Sequence, residues 1–150
     1  LTQQFIAHYS ENIAVYSRPF PGVIKALDTL KNNGHPLGIC TNKSEALAKQ
    51  LIGELVMEDF FGAIIGVDTL EVKKPDPGHI LGTIKALGAS PLTAIMVGDS
   101  ETDIVAAKAA NIPVIAVDFG YSIDPIANFA PDAIISTHED LLLALSSFFS

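Results

Sequence analysis

Thr93-Ala94-Ile95-Met96-Val97-Gly98-Asp99-Ser100-Glu101-Thr102-Asp103 begins as a short apolar run, stops at a glycine and opens into acids and hydroxyls. Unbroken apolarity over so few residues is what a strand buried on both faces shows; a half-exposed strand would alternate. Beyond it, Ile104, Ala107 and Ala110 fall at helical spacing. The stretch therefore predicts a buried strand feeding a helix, with polar chemistry at the junction. Asp99 sits where the strand ends, and Asp103 lies one helical turn on. Carboxylates so spaced can converge on one hard cation, for which oxygen ligands are preferred. A plainer account exists for Asp103: with Ser100 it makes a capping box. That account leaves Asp99 unexplained.

The same alternation extends in both directions. Apolar runs rich in isoleucine and valine recur at Pro36–Cys40, Ala63–Val67, Pro113–Val117 and Ala133–Ser136. Between them lie helical stripes: Val23, Ala26, Leu27 and Leu30 between Pro21 and Gly34; Leu47, Leu51 and Leu55; Ile80, Ile84 and Leu87 closed by Gly88; and a terminal one over Leu141–Phe149. The opening stretch, Thr2 to Tyr16, reads as a helix with Phe5, Ile6, Tyr9 and Ile13 on one side. Strand–helix alternation predicts a parallel sheet covered by helices on both faces. In such sheets the ligand site lies beyond the carboxyl ends of the strands. Chemistry should collect just after the apolar runs, and it does.

Cys40-Thr41-Asn42-Lys43 places a hydroxyl and an amide at a strand end before a helix, a setting that suits a phosphoryl oxygen. Capping of the helix by Thr41 or Ser44 is the plainer alternative. Lys73-Lys74-Pro75-Asp76-Pro77 follows the next strand. A lysine directly before proline is biased to extended geometry and can aim an ammonium at phosphate charge; an exposed lysine pair in a proline-rich loop is the alternative. Asp118-Phe119-Gly120-Tyr121 offers a close backbone approach or a simple turn. His8, His35, His79 and His138 lack metal-ligand spacing and read as surface or loop residues. No P-loop and no nucleophile elbow is present.

Bulk properties narrow the function classes. The 150 residues are 49% hydrophobic and 17% charged, which fits one well-filled domain and argues against disorder. A net charge of -8 argues against a nucleic-acid partner. The single cysteine, Cys40, forbids an intrachain disulfide and suits a reducing cytoplasm. No apolar run approaches the length needed to span a bilayer.

Taken in order, a strand ending in Thr41-Asn42, then Lys74-Pro75, then Gly98-Asp99-Ser100 with Asp103 resembles the second, third and fourth motifs of the haloacid dehalogenase superfamily. The wording Gly38-Ile39-Cys40-Thr41-Asn42-Lys43, the entry Pro21-Gly22-Val23 and the pair Gly120-Tyr121 look most like its phosphoglycolate phosphatases. The resemblance implies a Rossmann-like, three-layer α/β/α core over residues 19–150, with residues 1–18 as the end of a helical cap and its return linker. It implies that Thr41 and Asn42 bind the transferring phosphoryl group and that Lys74 stabilises its charge. Asp99 and Asp103 would hold Mg2+, Asp103 directly or through its waters. The substrate would be a small phosphorylated metabolite, phosphoglycolate first, cleaved through an aspartyl-phosphate.

The first family motif, Asp-x-Asp-Gly-Thr after an N-terminal strand, does not occur among the 150 residues. Asp118-Phe119-Gly120 is the nearest substitute, but it follows the wrong strand. The chain is therefore expected to be inactive alone. It is also expected to lack the central strand of its sheet, a gap that must close, borrow a strand from a partner (self-association included), or be filled by an upstream piece. Other activities of the same family stay open: pyrophosphatase, sugar-phosphate phosphatase and phosphoglucomutase-like. So does a non-catalytic truncated remnant that pairs with a partner chain. A receiver-type domain fits poorly, because its acidic cluster would come near the N-terminus.

Overall fold

Helices on both sides of a parallel sheet bury both faces of its inner strands. The computed structural model describes residues 4–7, 14–15, 18–19, 23–54, 56–118, 125–136 and 140–149. In chain order its strands are β1 (Gln4–Ala7), β2 (Ala14–Val15), β3 (Arg18–Pro19), β4 (Gly38–Cys40), β5 (Ala63–Ile65), β6 (Ala94–Gly98), β7 (Val114–Val117) and β8 (Ala133–Ile135). Its helices are α1 (Val23–Asn32), α2 (Glu45–Glu54), α3 (Pro77–Ala86), α4 (Glu101–Ala109) and α5 (Leu141–Phe149). Each strand after β3 falls within a residue or two of the run that predicted it.

Strands β1, β6, β7 and β8 form a parallel sheet in that order, and β4 pairs with β5, also parallel. Strand β1 lies beside β4 as well, so the two sets meet along it. The side chains of β6 and β7 alternate between two apolar layers. Ile95, Val97, Ile115 and Val117 pack with Leu27 and Leu30 of α1 and with Leu141 and Leu145 of α5. Ala94, Met96, Val114 and Ala116 pack with Ile80 and Ile84 of α3 and with Ile104 and Ala107 of α4. That is the expected α/β/α sandwich. Among the described residues no helix is long and apolar enough to cross a membrane.

The N-terminal segment departs from its reading. None of the described residues before Val23 is helical. Gln4–Ala7 instead runs parallel to β6, with Gln4 opposite Ala94 and Ala7 opposite Val97, and so occupies the place where a gap was expected. Backbone groups of β6 left without partners would cost far more than a weak helical preference is worth, so pairing overrides the local pattern. Residues β2 and β3 form a short antiparallel pair. His8, His138 and the Phe119-Gly120-Tyr121 stretch lie outside the described residues.

Candidate functional site

The carboxyl ends of β4 and β6, together with the loop that precedes α3, bring four of the five residues singled out from the sequence into one hydrogen-bonded chain. It starts at Asn42, whose side-chain amide donates to the carbonyl of Lys74 (3.0 Å) and accepts from the Lys74 N–H (3.2 Å). This two-way pairing imitates a strand ladder and fixes the backbone from which the lysine projects. The Lys73–Lys74 pair divides: Lys73 is exposed, whereas Lys74 is 2% exposed. The Lys74–Pro75 peptide is cis. From there the Lys74 ammonium donates to the Asp103 Oδ1 (2.6 Å) and to the Cys40 carbonyl (3.0 Å).

Asp103 is wholly buried and heavily committed. Its Oδ2 accepts from the N–H of Asp99 (2.9 Å), the N–H of Ser100 (3.2 Å) and the hydroxyl of Ser100 (3.1 Å). The capping arrangement expected at the start of α4 is therefore present, and Asp103 holds Lys74 at the same time. Asp99, 4% exposed, stands at the mouth of β6. Gly98 makes room for the arrangement: a Cβ there would lie 2.4 Å from the Asp103 Cβ and 2.7 Å from its Oδ2.

Thr41, 1% exposed, ends β4. Its hydroxyl accepts from the Lys43 N–H (3.1 Å), while the capping bond to α2 comes from Ser44, which accepts from the Leu47 N–H (3.2 Å). The plainer capping account thus belongs to Ser44, not to Thr41. The neighbouring Cys40 thiol is pushed up to about 11, chiefly by burial and against the nearby Lys74 ammonium; it stays a thiol at neutral pH.

A clasp holds the Thr41 loop from the other side. The Val67 N–H donates to the Lys43 carbonyl (2.7 Å), and the Glu45 N–H donates to the Asp68 Oδ1 (2.8 Å). The Thr69 hydroxyl accepts from the Gly66 N–H (2.8 Å) and donates to the Glu45 Oε1 (2.7 Å). Lys49 first, then Thr69, holds the Glu45 carboxyl below its ordinary range. Beneath the clasp lies His79, which corrects the reading of all four histidines as surface or loop residues: it is 0% exposed, in the first turn of α3. The sequence did carry a signal, because residues 79 and 83 share the helical stripe of Ile80, Ile84 and Leu87. His35 is half-buried.

Two carboxylates against one ammonium leave this pocket with excess negative charge, and oxygen donors suit a hard divalent cation. The donor chemistry fits such an ion. Asp99 and Asp103 are the carboxylates the described residues could offer it, and no cluster of three or more His, Cys, Asp or Glu that could hold a metal is found among them.

Residues 1–117 match the model of a family described as haloacid dehalogenase-like hydrolase. The chain is 47% identical over 146 residues to a phosphoglycolate phosphatase of Mesorhizobium japonicum, covering 97% of this chain and 64% of that protein. It is 44% identical over 145 residues to the phosphoglycolate phosphatase of Agrobacterium fabrum, covering 97% and 62%. The crystal structure of a predicted phosphoglycolate phosphatase from Haemophilus somnus superposes with a TM-score of 0.81 at 30% identity, over 85% of this chain and 57% of that one. The chain thus spans somewhat less than two thirds of the length of the curated relatives it matches.

Proposed function

Because the chain belongs to the haloacid dehalogenase-like hydrolases, we propose that it forms the phosphoryl-binding core of a metal-dependent phosphatase acting on a small phosphorylated metabolite, phosphoglycolate first. The observation that carries the reading is the buried Lys74–Asp103 pair at the mouth of β6, beside Asp99 and tied to the Thr41 loop through Asn42. The names of the relatives above support the choice of phosphoglycolate. Residues 19–150 are assigned to the core, which Gln4–Ala7 joins as a strand of its sheet, and the rest of 1–18 to the end of a cap and its return linker.

In this reading Thr41, with Asn42 contributing nearby, binds the phosphoryl oxygens in front of α2, and the Lys74 ammonium balances their charge. Asn42 keeps the Lys74 backbone in place. Asp99 would hold the metal, and Asp103, paired with Lys74, would hold it directly or through its waters; Mg2+ there would supply further positive charge to the phosphoryl oxygens. In the reaction proposed, an aspartate carboxylate attacks phosphorus as the ester P–O bond breaks, and water then releases phosphate from the acyl phosphate. The 150 residues hold no Asp-x-Asp-Gly-Thr to supply that carboxylate, so the chain alone is proposed to bind without turnover. A cytoplasmic setting is part of the reading, as is self-association only in the form of a Gln4–Ala7 strand exchanged between copies.

Calorimetric titration of the chain with inorganic phosphate and then phosphoglycolate, with and without Mg2+, tests it. We expect binding that strengthens with Mg2+ and falls by about tenfold or more in Asp99→Asn. Phosphoglycolate should outcompete glucose phosphate and pyrophosphate. Absence of phosphate binding by the folded chain would remove the reading, and steady phosphate release by the chain alone would remove the claim of inactivity.

A further inference from the structure

His79 has a fully buried ring whose two nitrogens fare differently. Its Nε2 lies 2.9 Å from the Gly66 carbonyl. Its Nδ1 is buried and has no hydrogen-bond partner among the described residues. A carbonyl only accepts, so Nε2 must carry the proton. A second proton on Nδ1 would create a buried imidazolium with no acceptor, near the Lys74 ammonium. Burial first, and Lys74 after it, hold the His79 pKa below its ordinary value, although the Gly66 bond works the other way. The ring is therefore a neutral donor. On the same helix the Thr83 hydroxyl donates to the His79 carbonyl (2.9 Å).

What the ring holds is the pivot of the clasp. Gly66 presses against the start of α2 so closely that a Cβ would lie 2.2 Å from the Glu45 nitrogen. Just before it, the Ile65 carbonyl accepts the Thr41 N–H (2.9 Å), and just after it Val67 donates to the Lys43 carbonyl. His79 itself lies five residues past Lys74 on the element that the lysine loop feeds. One imidazole thus joins the base of the lysine loop to the turn that grips the Thr41 loop.

We infer that His79 is a positioning residue: as a neutral Nε2–H donor to Gly66 it sets the register between the Thr41 loop and the Lys74 loop. The phosphate-binding part of this inference rests on the proposed function, but the positioning itself does not.

The test uses the isotope-labelled chain and two variants. In the parent chain, nitrogen NMR should show the neutral Nε2–H tautomer of His79 near neutral pH; an Nδ1–H tautomer or a charged ring overturns the inference. The Lys74 ammonium, clamped between Asp103 and Cys40, should give a slowly exchanging NMR signal. His79→Leu removes the donor while keeping an apolar ring-sized filler, and should shift or broaden that signal and weaken inorganic phosphate binding by about tenfold. His79→Gln can still donate to Gly66 and should restore the signal and bring binding to within about threefold of the parent. Folded His79→Leu protein with the Lys74 signal and phosphate affinity unchanged overturns the inference. So does folded His79→Gln protein that behaves no better than His79→Leu. Should His79→Leu not fold, the tautomer and His79→Gln decide. Should the parent chain bind no phosphate, the proposed function fails, while the Lys74 signal still decides the positioning.

Discussion

Lys74→Met is expected to cost the fold about 3–5 kcal/mol, because it strands a buried carboxylate. The ammonium and the Asp103 carboxylate meet at 2.6 Å with side chains 1% and 0% exposed. At that depth the surrounding water cannot take over when the lysine is lost, and methionine fills most of the volume without offering a donor. The Asp103 Oδ2 keeps its three bonds from Asp99 and Ser100, but Oδ1 loses the charge that balanced the group. The Cys40 carbonyl loses a donor as well. Denaturant titration of a two-mutation cycle isolates the pair. Asp103→Asn removes the charge from the other side, and the double variant should be more stable than the sum of the single losses implies by about 2 kcal/mol. Strict additivity would mean that the pair contributes only as two unrelated polar groups. High salt should leave the difference nearly intact, since buried pairs are little screened.

Much of this site could be read from the chain alone, for a physical reason. A strand buried on both faces must be apolar without interruption, so the first polar residues after it stand out, and these are Thr41, Asp99 and their neighbours. Helix limits were legible through local chemistry too: Asp76 accepts from the Gly78 N–H (2.7 Å) just before Pro77, and Gly34 and Gly88 adopt φ of +84° and +68° past the ends of α1 and α3. What stayed hidden depends on residues far apart in sequence. Nothing in Gln4–Ala7 announces its partner, because Phe5 and Ile6 suit a helix as well as a strand, and only the open flank of β6 decides. The Lys73-Lys74 pair leaves open, in sequence, a phosphate-facing ammonium or a solvated pair, and nothing local names the partner of Lys74, Asp103, twenty-nine residues away. His79 was visible on its stripe, but the carbonyl it meets was not. Nor does the sequence tell one glycine from another: Gly98 stands in the Gly98-Asp99-Ser100 motif, whereas Gly66 carries no mark, and only the nearby main chain of Ser44 and Glu45 shows that no side chain fits there.

That difference between one glycine and another gives the second large effect. Gly66→Ala should destabilise the fold by about 3 kcal/mol and weaken phosphate binding by at least about tenfold, since the clash is with main chain. The added Cβ would lie 2.2 Å from the Glu45 nitrogen, 2.6 Å from its Cα and 2.6 Å from the Ser44 carbonyl carbon. No rotamer relieves contacts of that kind. Either the first turn of α2 moves or the 66–69 turn opens. The first choice displaces Thr41 to Ser44; the second breaks the Val67–Lys43, Glu45–Asp68 and His79–Gly66 bonds together. Both routes separate the Thr41 loop from the Lys74 loop, so binding should suffer even in the fraction that folds. Gly53 provides the opposite sign. It lies within α2, and a Cβ there meets nothing within 4 Å. Gly53→Ala should therefore stabilise the chain by about 0.5–1 kcal/mol, through higher helix propensity and a less mobile unfolded state, and leave phosphate binding unchanged. Thermal melts and phosphate titrations of the two variants, run side by side, check the argument. Equal responses would mean that the clasp yields freely, and that the Thr41 loop does not depend on it.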